Sequence, residues 1–250
     1  MYKSLVSLVV LFTGLSTMLS GQVVNIEKQR ADKNKDFYGN IKASVQYEQS
    51  KTVLWQNSFS SDLYLRNGSH LFMSFTSWDY ISAGKENLLD KGYEHLRYNY
   101  NIDSLFVFEV FGQYQFNDLR KIKYRSLVGG GLRFNIFSGD SLKWFTGTSI
   151  MYEERQFTYE AIGQYHWRFN LYTNLHWDIS KIIRISGIVY FQPSLHDFYN
   201  QNISGEANLE IKLLKKLSFF VNTMLTYETK PPSDVANFYS VVRNGIKWDF

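Results

Sequence analysis

The alternation of polar and apolar positions is clearest in residues 164–179, QYHWRFNLYTNLHWDI. The even-numbered positions are almost all polar, and the odd-numbered positions are mostly apolar. A period of two residues predicts a β-strand with one polar and one apolar face. The stretch is much longer than the roughly five or six residues of a common strand. Its surroundings must therefore require the extra length.

Two tryptophans on the apolar face account for that length. Trp167 and Trp177 lie roughly 33 Å apart along an extended strand. With a tilt of about 40° this separation projects to roughly 25 Å, the height of the apolar band between the aromatic girdles of outer-membrane barrels. The spacing predicts that the strand crosses a bilayer and that both residues belong to the girdles. A soluble sandwich, which buries its apolar face against a second sheet, gives no reason for it.

The rest of the chain repeats the alternation and predicts an all-β fold of about twelve strands. No segment sustains a helical period and no change of composition divides the chain, so residues 37–250 are predicted to form one domain. Tight links alternate with longer ones, such as residues 83–90, as in a transmembrane up-and-down antiparallel β-barrel. The predicted strands are 37–50, 53–66, 70–82, 91–103, 105–117, 123–137, 142–156, 164–179, 182–194, 201–213, 217–229 and 236–250.

Charged side chains recur on the face that should line the lumen. They could form a narrow ion-selective pore or a solute site, or a salt-bridge network that fills the lumen and fixes the strand register. The network is favoured because side chains can still close the bore of a barrel of this size. Residues 70–82 are the least clear segment, since both faces carry apolar side chains. The predicted lumen-lining residues are Arg97, Glu109, Arg125, Arg133, Glu153, Arg168, Arg184, Glu206, Glu210 and Arg243.

The first residues predict export to the cell outer membrane. Residues 1–21 contain one lysine, an apolar run and then small residues, as a signal peptide does, and residues 22–36 are predicted to be a periplasmic leader. The chain has no cysteine, which excludes disulfides, a lipid-anchored N-terminus and thiolate metal sites. The net charge of +4 is too small and too evenly spread to indicate a nucleic-acid partner.

The last residues, VVRNGIKWDF, place Ile246, Trp248 and Phe250 on one face of a strand. This ending resembles the signal through which the barrel-assembly machinery recognises the last strand of outer-membrane barrels. Docking of an edge strand by β-augmentation is the physical basis of such recognition. The predicted partners are therefore this machinery and outer-membrane lipids, and the oligomeric state stays open.

Five motifs carry a resemblance to a known family. They are HLRYNY (95–100), FGQYQFN (111–117), RSLVGGGLRF (125–134), MYEE (151–154) and the closing NGIKWDF. Through them the chain resembles a family of exported bacterial proteins of unknown function named as salt-induced outer-membrane proteins, in the form found in Bacteroidetes-type bacteria. The similarity spans residues 91–250. It implies an outer-membrane barrel and supplies no catalytic residues.

The leading functional hypothesis is a structural outer-membrane component or a narrow solute or ion channel, not an enzyme. The first alternative is an outer-membrane lipid hydrolase built on His95, Asn99 and Ser104, which would need a Ser/His pair facing lipid. The expected inward direction of His95 argues against it. The second alternative is a soluble periplasmic β-sandwich that binds a ligand.

No metal site, cofactor or phosphate cradle is predicted. His166 and His176 share the lumen-facing side but lie too far apart to ligate one metal ion. The glycines at 129–131 sit within a strand and no helix follows them. They are therefore expected to mark a bend or a place where strand packing has no room for a side chain.

Overall fold

The computed structural model describes residues 36–160, 162–232 and 235–248, and shows twelve antiparallel strands in up-and-down order, as predicted. A single 3₁₀ turn, Asp118–Arg120, interrupts them. The predicted signal peptide, nearly all of the predicted leader, and Phe250 of the predicted assembly signal lie outside the described residues. The strands are β1 (Phe37–Gln49), β2 (Val53–Asn67), β3 (His70–Ala83), β4 (Glu86–Asn101), β5 (Phe106–Asn117), β6 (Ile122–Ser138), β7 (Leu142–Phe157), β8 (Gln164–Asp178), β9 (Ile183–Pro193), β10 (Gln201–Leu214), β11 (Leu217–Glu228) and β12 (Phe238–Trp248).

Each strand pairs with its neighbours in the sequence, and the sheet curls into a barrel. Side chains from strands that are far apart in this order meet across the interior: Arg155 on β7 is 2.9 Å from Glu228 on β11, and Tyr172 on β8 is 2.5 Å from Glu109 on β5. In the described part of the chain, β1 pairs only with β2 and β12 only with β11. These two strands are therefore the edges of the hydrogen-bonded ladder.

The two ends of the barrel differ in the length of their connections. At one end, named the turn end, the links are residues 68–69, 102–105, 139–141, 179–182 and 215–216. At the other end, named the loop end, the longest links are residues 194–200 and 229–237. The prediction of a long link at 83–90 is wrong, because β3 and β4 continue to a tight turn at residues 84–85. Gly84, at φ +61°, permits this turn. The pairing register shifts between Ile81 and Ser82, and this shift accommodates one extra residue on β4.

The outer face of the barrel is apolar and carries every tryptophan of the chain. Leu96, Val128, Ile150 and Leu171 are among its exposed apolar side chains. All six tryptophans are exposed and fall near the two ends. Trp55, Trp78 and Trp167 lie toward the loop end, and Trp144, Trp177 and Trp248 lie toward the turn end. Rings in two girdles around an apolar band are typical of a barrel that faces lipid.

The inner face is mostly polar, with one apolar sector. On β8 the inward side chains are the even-numbered ones, and Arg168, Asn170 and Asn174 are buried there. On β3, Leu71, Met73 and Phe75 also face inward and pack with Tyr64 of β2. The lumen-facing side is therefore apolar in this sector, which is the segment whose two faces the sequence left least clear. Apolar side chains occur on both faces of β3 because one face belongs to the exposed apolar outer surface and the other packs in this cluster.

The glycines of β6 allow strands and side chains to approach closely. A Cβ atom added to Gly129 would lie 2.7 Å from Met151 Cβ and 2.7 Å from Phe111 Cζ, closer than such atoms can approach. The position therefore has no room for a side chain.

The described part of the chain contains no helix long and apolar enough to span a membrane.

The assignment of faces predicts how arginine substitutions should act along β8. Leu171 faces outward at the middle of the strand, so Leu171→Arg should lower the free energy of unfolding by roughly 2–4 kcal/mol in lipid. Tyr165→Arg, on the same face but at the loop end, should cost only about 0–1 kcal/mol. Denaturant titration in phosphatidylcholine vesicles measures both variants. Equal costs would contradict a membrane-centred position for Leu171.

Candidate functional site

The inner face holds three carboxylates, each contacted by two arginines. Each group of one carboxylate and two guanidiniums is called a clamp, named after its glutamate. The Glu109 clamp contains Arg97 and Arg133, the Glu153 clamp contains Arg125 and Arg168, and the Glu228 clamp contains Arg120 and Arg155. All nine side chains are buried. They form the candidate functional site of the molecule.

The Glu153 clamp joins three consecutive strands. Nε of Arg125 donates to one carboxylate oxygen of Glu153, and Nε of Arg168 donates to the other. The remaining nitrogens of Arg168 donate to the carbonyls of Gln192 and Asn200 at 3.1 Å, and to Oδ1 of Asn200 at 3.1 Å. Arg168 and Glu153 are wholly shielded from solvent. The clamp therefore connects β6, β7 and β8 to the link that follows β9.

The Glu228 clamp spans the barrel at the loop end. Arg120 Nη2 lies 2.5 Å from Oε1 of Glu228, and Arg155 Nη1 lies 2.9 Å from Oε2. Arg120 comes from the 3₁₀ turn, whose start is capped by the side chain of Asn117 accepting from the Arg120 amide at 3.2 Å. The guanidinium carbon of Arg155 also lies over the ring of Phe157, 4.7 Å from its centroid. A turn, β7 and β11 are thereby held together across the interior.

The Glu109 clamp lies toward the turn end. Arg97 Nη1 is 3.5 Å from Oε2 of Glu109, and Arg133 Nη1 is 3.4 Å from Oε1. The hydroxyl of Tyr172 donates to Oε2 at 2.5 Å. Arg97 also lies over the ring of Phe111, 5.4 Å from its centroid. The carboxylate thus accepts a hydrogen bond from β8 and forms ion pairs with guanidiniums on β4 and β6.

The clamps form layers along the barrel axis. The Glu228 clamp is nearest the loop end, the Glu153 clamp comes next, and the Glu109 clamp is nearest the turn end. Phe111, Leu127 and Met151 form an apolar cluster between the last two layers. Because six arginines face three glutamates, the clamps carry an excess of three positive charges when all groups are ionised. The field within the bore therefore favours anions.

A vestibule of about 280 Å³ opens at the turn end. Among the described residues its lining contains the cations Arg66, Arg133 and Lys143 and no carboxylate. Arg133 lies over the ring of Phe145, 5.3 Å from its centroid, which holds the guanidinium at the vestibule wall. The vestibule is therefore positively charged.

The loop end is tied by contacts between its two longest connections. Asp197 accepts from Lys230 at 2.5 Å, and the hydroxyl of Thr229 donates to the carbonyl of Tyr199 at 2.6 Å. The hydrogen bond from Lys230 lowers the pKa of Asp197. Since a lowered carboxylate pKa stabilises only the ionised form, this link is present at neutral pH and is lost as the pH falls below the ordinary range of aspartate.

The structure places six of the ten predicted lumen-lining residues in two clamps: Arg97, Glu109, Arg125, Arg133, Glu153 and Arg168. Glu206 instead accepts from Asn222 at 2.7 Å. Arg184 is half-exposed at the turn end, 2.6 Å from Asp178, and Glu210 lines the same rim. Arg243 lies on the inward face of β12. The predicted girdle residues Trp167 and Trp177 face outward at opposite ends of the barrel. Ile246 and Trp248 of the predicted assembly signal also face outward, both at the turn end.

Sequence reasoning missed the Glu228 clamp. Arg155 is two residues from Glu153 on β7, and Glu228 is four residues from Met224 on β11. Each therefore lies on the same inward face as its neighbour, and the alternation could have found both. Arg120 belongs to a connection, where no periodicity exists to orient a side chain. A buried pair of Lys91 and Asp79, 3.4 Å apart, was also missed.

The residues considered for lipid hydrolysis do not form a lipid-facing pair. His95 and Asn99 are buried on the inward face of β4, and His95 Nδ1 contacts Oε1 of Gln113 at 2.9 Å. Ser104 lies in the link between β4 and β5 at the turn end. In the described part of the chain no three histidine or acidic side chains are grouped so that they could hold a metal ion.

The fold and the clamps together define a twelve-stranded up-and-down β-barrel with a charged, side-chain-filled interior. The chain belongs to the family described as "Protein of unknown function, DUF481", whose sequence profile matches residues 40–241. Comparison with curated proteins gives no match.

Two solved structures with a similar fold are porins. The KdgM porin has 13% identity and a TM-score of 0.41, over 86% of this chain and 98% of that one. The NanC porin has 10% identity and a TM-score of 0.47, over 84% and 99% respectively.

Removal of one clamp carboxylate should test the energetic role of the clamps. Glu153→Gln leaves Arg125 and Arg168 buried without their counter-charge, so it should cost about 3–5 kcal/mol of unfolding free energy. Glu154→Gln is the matched control, because Glu154 points to the other face and accepts from Tyr124. Its loss should be much smaller in the same vesicle titration. A similar loss for both variants would contradict the importance of the Glu153 clamp.

Proposed function

We propose that this protein is an outer-membrane β-barrel that forms a narrow channel with a preference for small anions. The observation that carries the proposal is the pairing of six buried arginines with three glutamates along one bore. Fixed positive charge in a constricted, weakly hydrated passage lowers the energy of an anion and raises that of a cation.

The outer surface supports a membrane location. Apolar side chains cover the outer face, and tryptophans surround it near both ends. In hydrocarbon an unpaired backbone N–H or C=O group costs several kcal/mol. The edges of β1 and β12 are therefore expected to pair with each other in the bilayer and close the ladder. The expected export signal and C-terminal assembly signal assign the membrane to the bacterial outer membrane, with its lipids and the barrel-assembly machinery as partners.

The clamps set an upper limit on what can pass. Because the Glu228 clamp reaches across the bore from β7 to β11, only ions or solutes of a few atoms are expected to pass it without displacing an arginine. The vestibule at the turn end would raise the local concentration of anions before this constriction. A structural component with a permanently closed bore is the second candidate, favoured by the complete burial of the Glu153 clamp.

The proposed location predicts two properties of the native protein. It should fractionate with the outer membrane, and it should migrate differently in SDS gels before and after boiling, because a closed barrel keeps its backbone pairs until heated. Membrane fractionation and paired heated and unheated gels measure these properties. Recovery in the soluble periplasmic fraction would favour the β-sandwich alternative instead.

The proposed selectivity predicts the sign of a reversal potential. Purified protein in a planar bilayer under a potassium chloride gradient should show a small conductance with the sign of chloride preference. The double variant Arg66→Glu/Lys143→Glu should reduce or reverse that preference, because it makes the vestibule acidic.

The control for this experiment is Lys51→Glu/Lys85→Glu, which makes the same change of net charge in two exposed links at the loop end. It should leave the reversal potential close to that of the wild type. Cation preference in the wild type would overturn the anion channel. The absence of any current above the lipid background would support the structural component.

A further inference from the structure

A small chamber lies between the Glu109 clamp and the Glu153 clamp. Its volume is about 60 Å³, more than the roughly 10–15 Å³ that a cavity needs to hold one water molecule. One arginine from each neighbouring clamp, Arg97 and Arg125, lines it. The apolar cluster of Phe111, Leu127 and Met151 forms another part of the wall.

Nε2 of His95 is one of the buried polar groups of the chamber that have no hydrogen-bond partner. Three others are Nη2 of Arg125, Nδ2 of Asn202 and Oγ1 of Thr226, on β6, β10 and β11. Their residues are only 4%, 6% and 3% exposed. Buried polar groups are almost always hydrogen-bonded, so their convergence on one cavity indicates an occupant that accepts hydrogen bonds. Two of these groups can only donate.

The charge of the chamber defines the charge of its occupant. The described residues that line it include two guanidiniums and no carboxylate. The clamp glutamates face these arginines from outside: Arg125 uses Nε for Glu153, and Arg97 uses Nη1 for Glu109. The interior of the chamber is therefore positive, and a neutral acceptor would leave that charge unbalanced.

The size of the chamber limits the occupant further. A halide, nitrate or formate ion fits beside one water molecule. His95 offers an acceptor for that water, because its Nδ1 lies 2.9 Å from Oε1 of Gln113, and in the neutral ring Nε2 then lacks a proton. A divalent anion such as sulfate keeps its hydration shell too strongly to enter a site with an apolar wall.

We propose that this chamber is a binding site for one small monovalent anion, held by Arg125, Asn202 and Thr226 between the two clamps. The site does not depend on conduction, since a barrel that passes no current could still hold the ion. It places the occupant beside Arg97 and Arg125, where it offsets part of the excess charge of the clamps.

Bromide in solution is a suitable probe. Protein refolded in detergent should broaden the bromide NMR signal in a saturable way, and chloride should compete, whereas sulfate at equal ionic strength should not. Asn202→Leu and Thr226→Val each remove one ligand with little change of volume. Each should weaken bromide binding roughly tenfold or more, the ordinary effect of one hydrogen bond to a charged group.

The matched control is Asn174→Leu, the same substitution at a buried inward position that does not line the chamber. It should bind bromide as the wild type does, and heat-modifiable mobility in SDS shows whether each variant is folded. Broadening that does not saturate as bromide is added and is equal in all folded variants would overturn the site. A saturable site with no current in bilayers would retain the anion site and reject the channel.

Discussion

The structure depends on the need of each buried guanidinium for a counter-charge. A strand that slipped by one residue would turn its inward face toward lipid, and Arg125, Glu153 and Arg168 would lose one another at the same time. The Glu153 clamp joins three consecutive strands, whereas the Glu228 clamp joins a turn and two strands that are far apart in the sheet. The clamps therefore fix register locally and the curvature of the sheet globally.

The apolar outer face and the polar bore impose opposite demands on the same strands, which explains how much the sequence could predict. Periodicity alone identified twelve strands and the direction of β8 side chains, and the spacing of Trp167 and Trp177 indicated a bilayer. It could not show that Glu109 meets Tyr172, because contacts across the interior depend on the curvature of the whole sheet. It also could not orient Arg120, which lies in a turn, or choose the lipid side of β3, where both faces are apolar.

The edge strands show where local pattern and overall structure separate. The sequences of β1 and β12 alternate like those of the other strands. Neither sequence by itself shows that the other strand is its partner. In the described residues their outer backbone groups are the unpaired ends of the ladder. Water can satisfy those groups and hydrocarbon cannot. Closure of the barrel is therefore expected to depend on the membrane. The interior clamps, in contrast, form between residues of the chain itself.

The ratio of two arginines to one glutamate favours function over stability as the origin of the clamps. A single Arg–Glu pair would be neutral and would desolvate one charge fewer, and apolar residues of similar volume are often at least as stabilising as buried ion pairs. A second arginine in each clamp therefore adds a desolvation cost and a net charge. That charge has a use if the bore attracts or holds an anion. The chamber lies where the guanidiniums of two clamps face a cavity whose described lining has no acid, so the excess charge and the vacant donors point to the same kind of occupant.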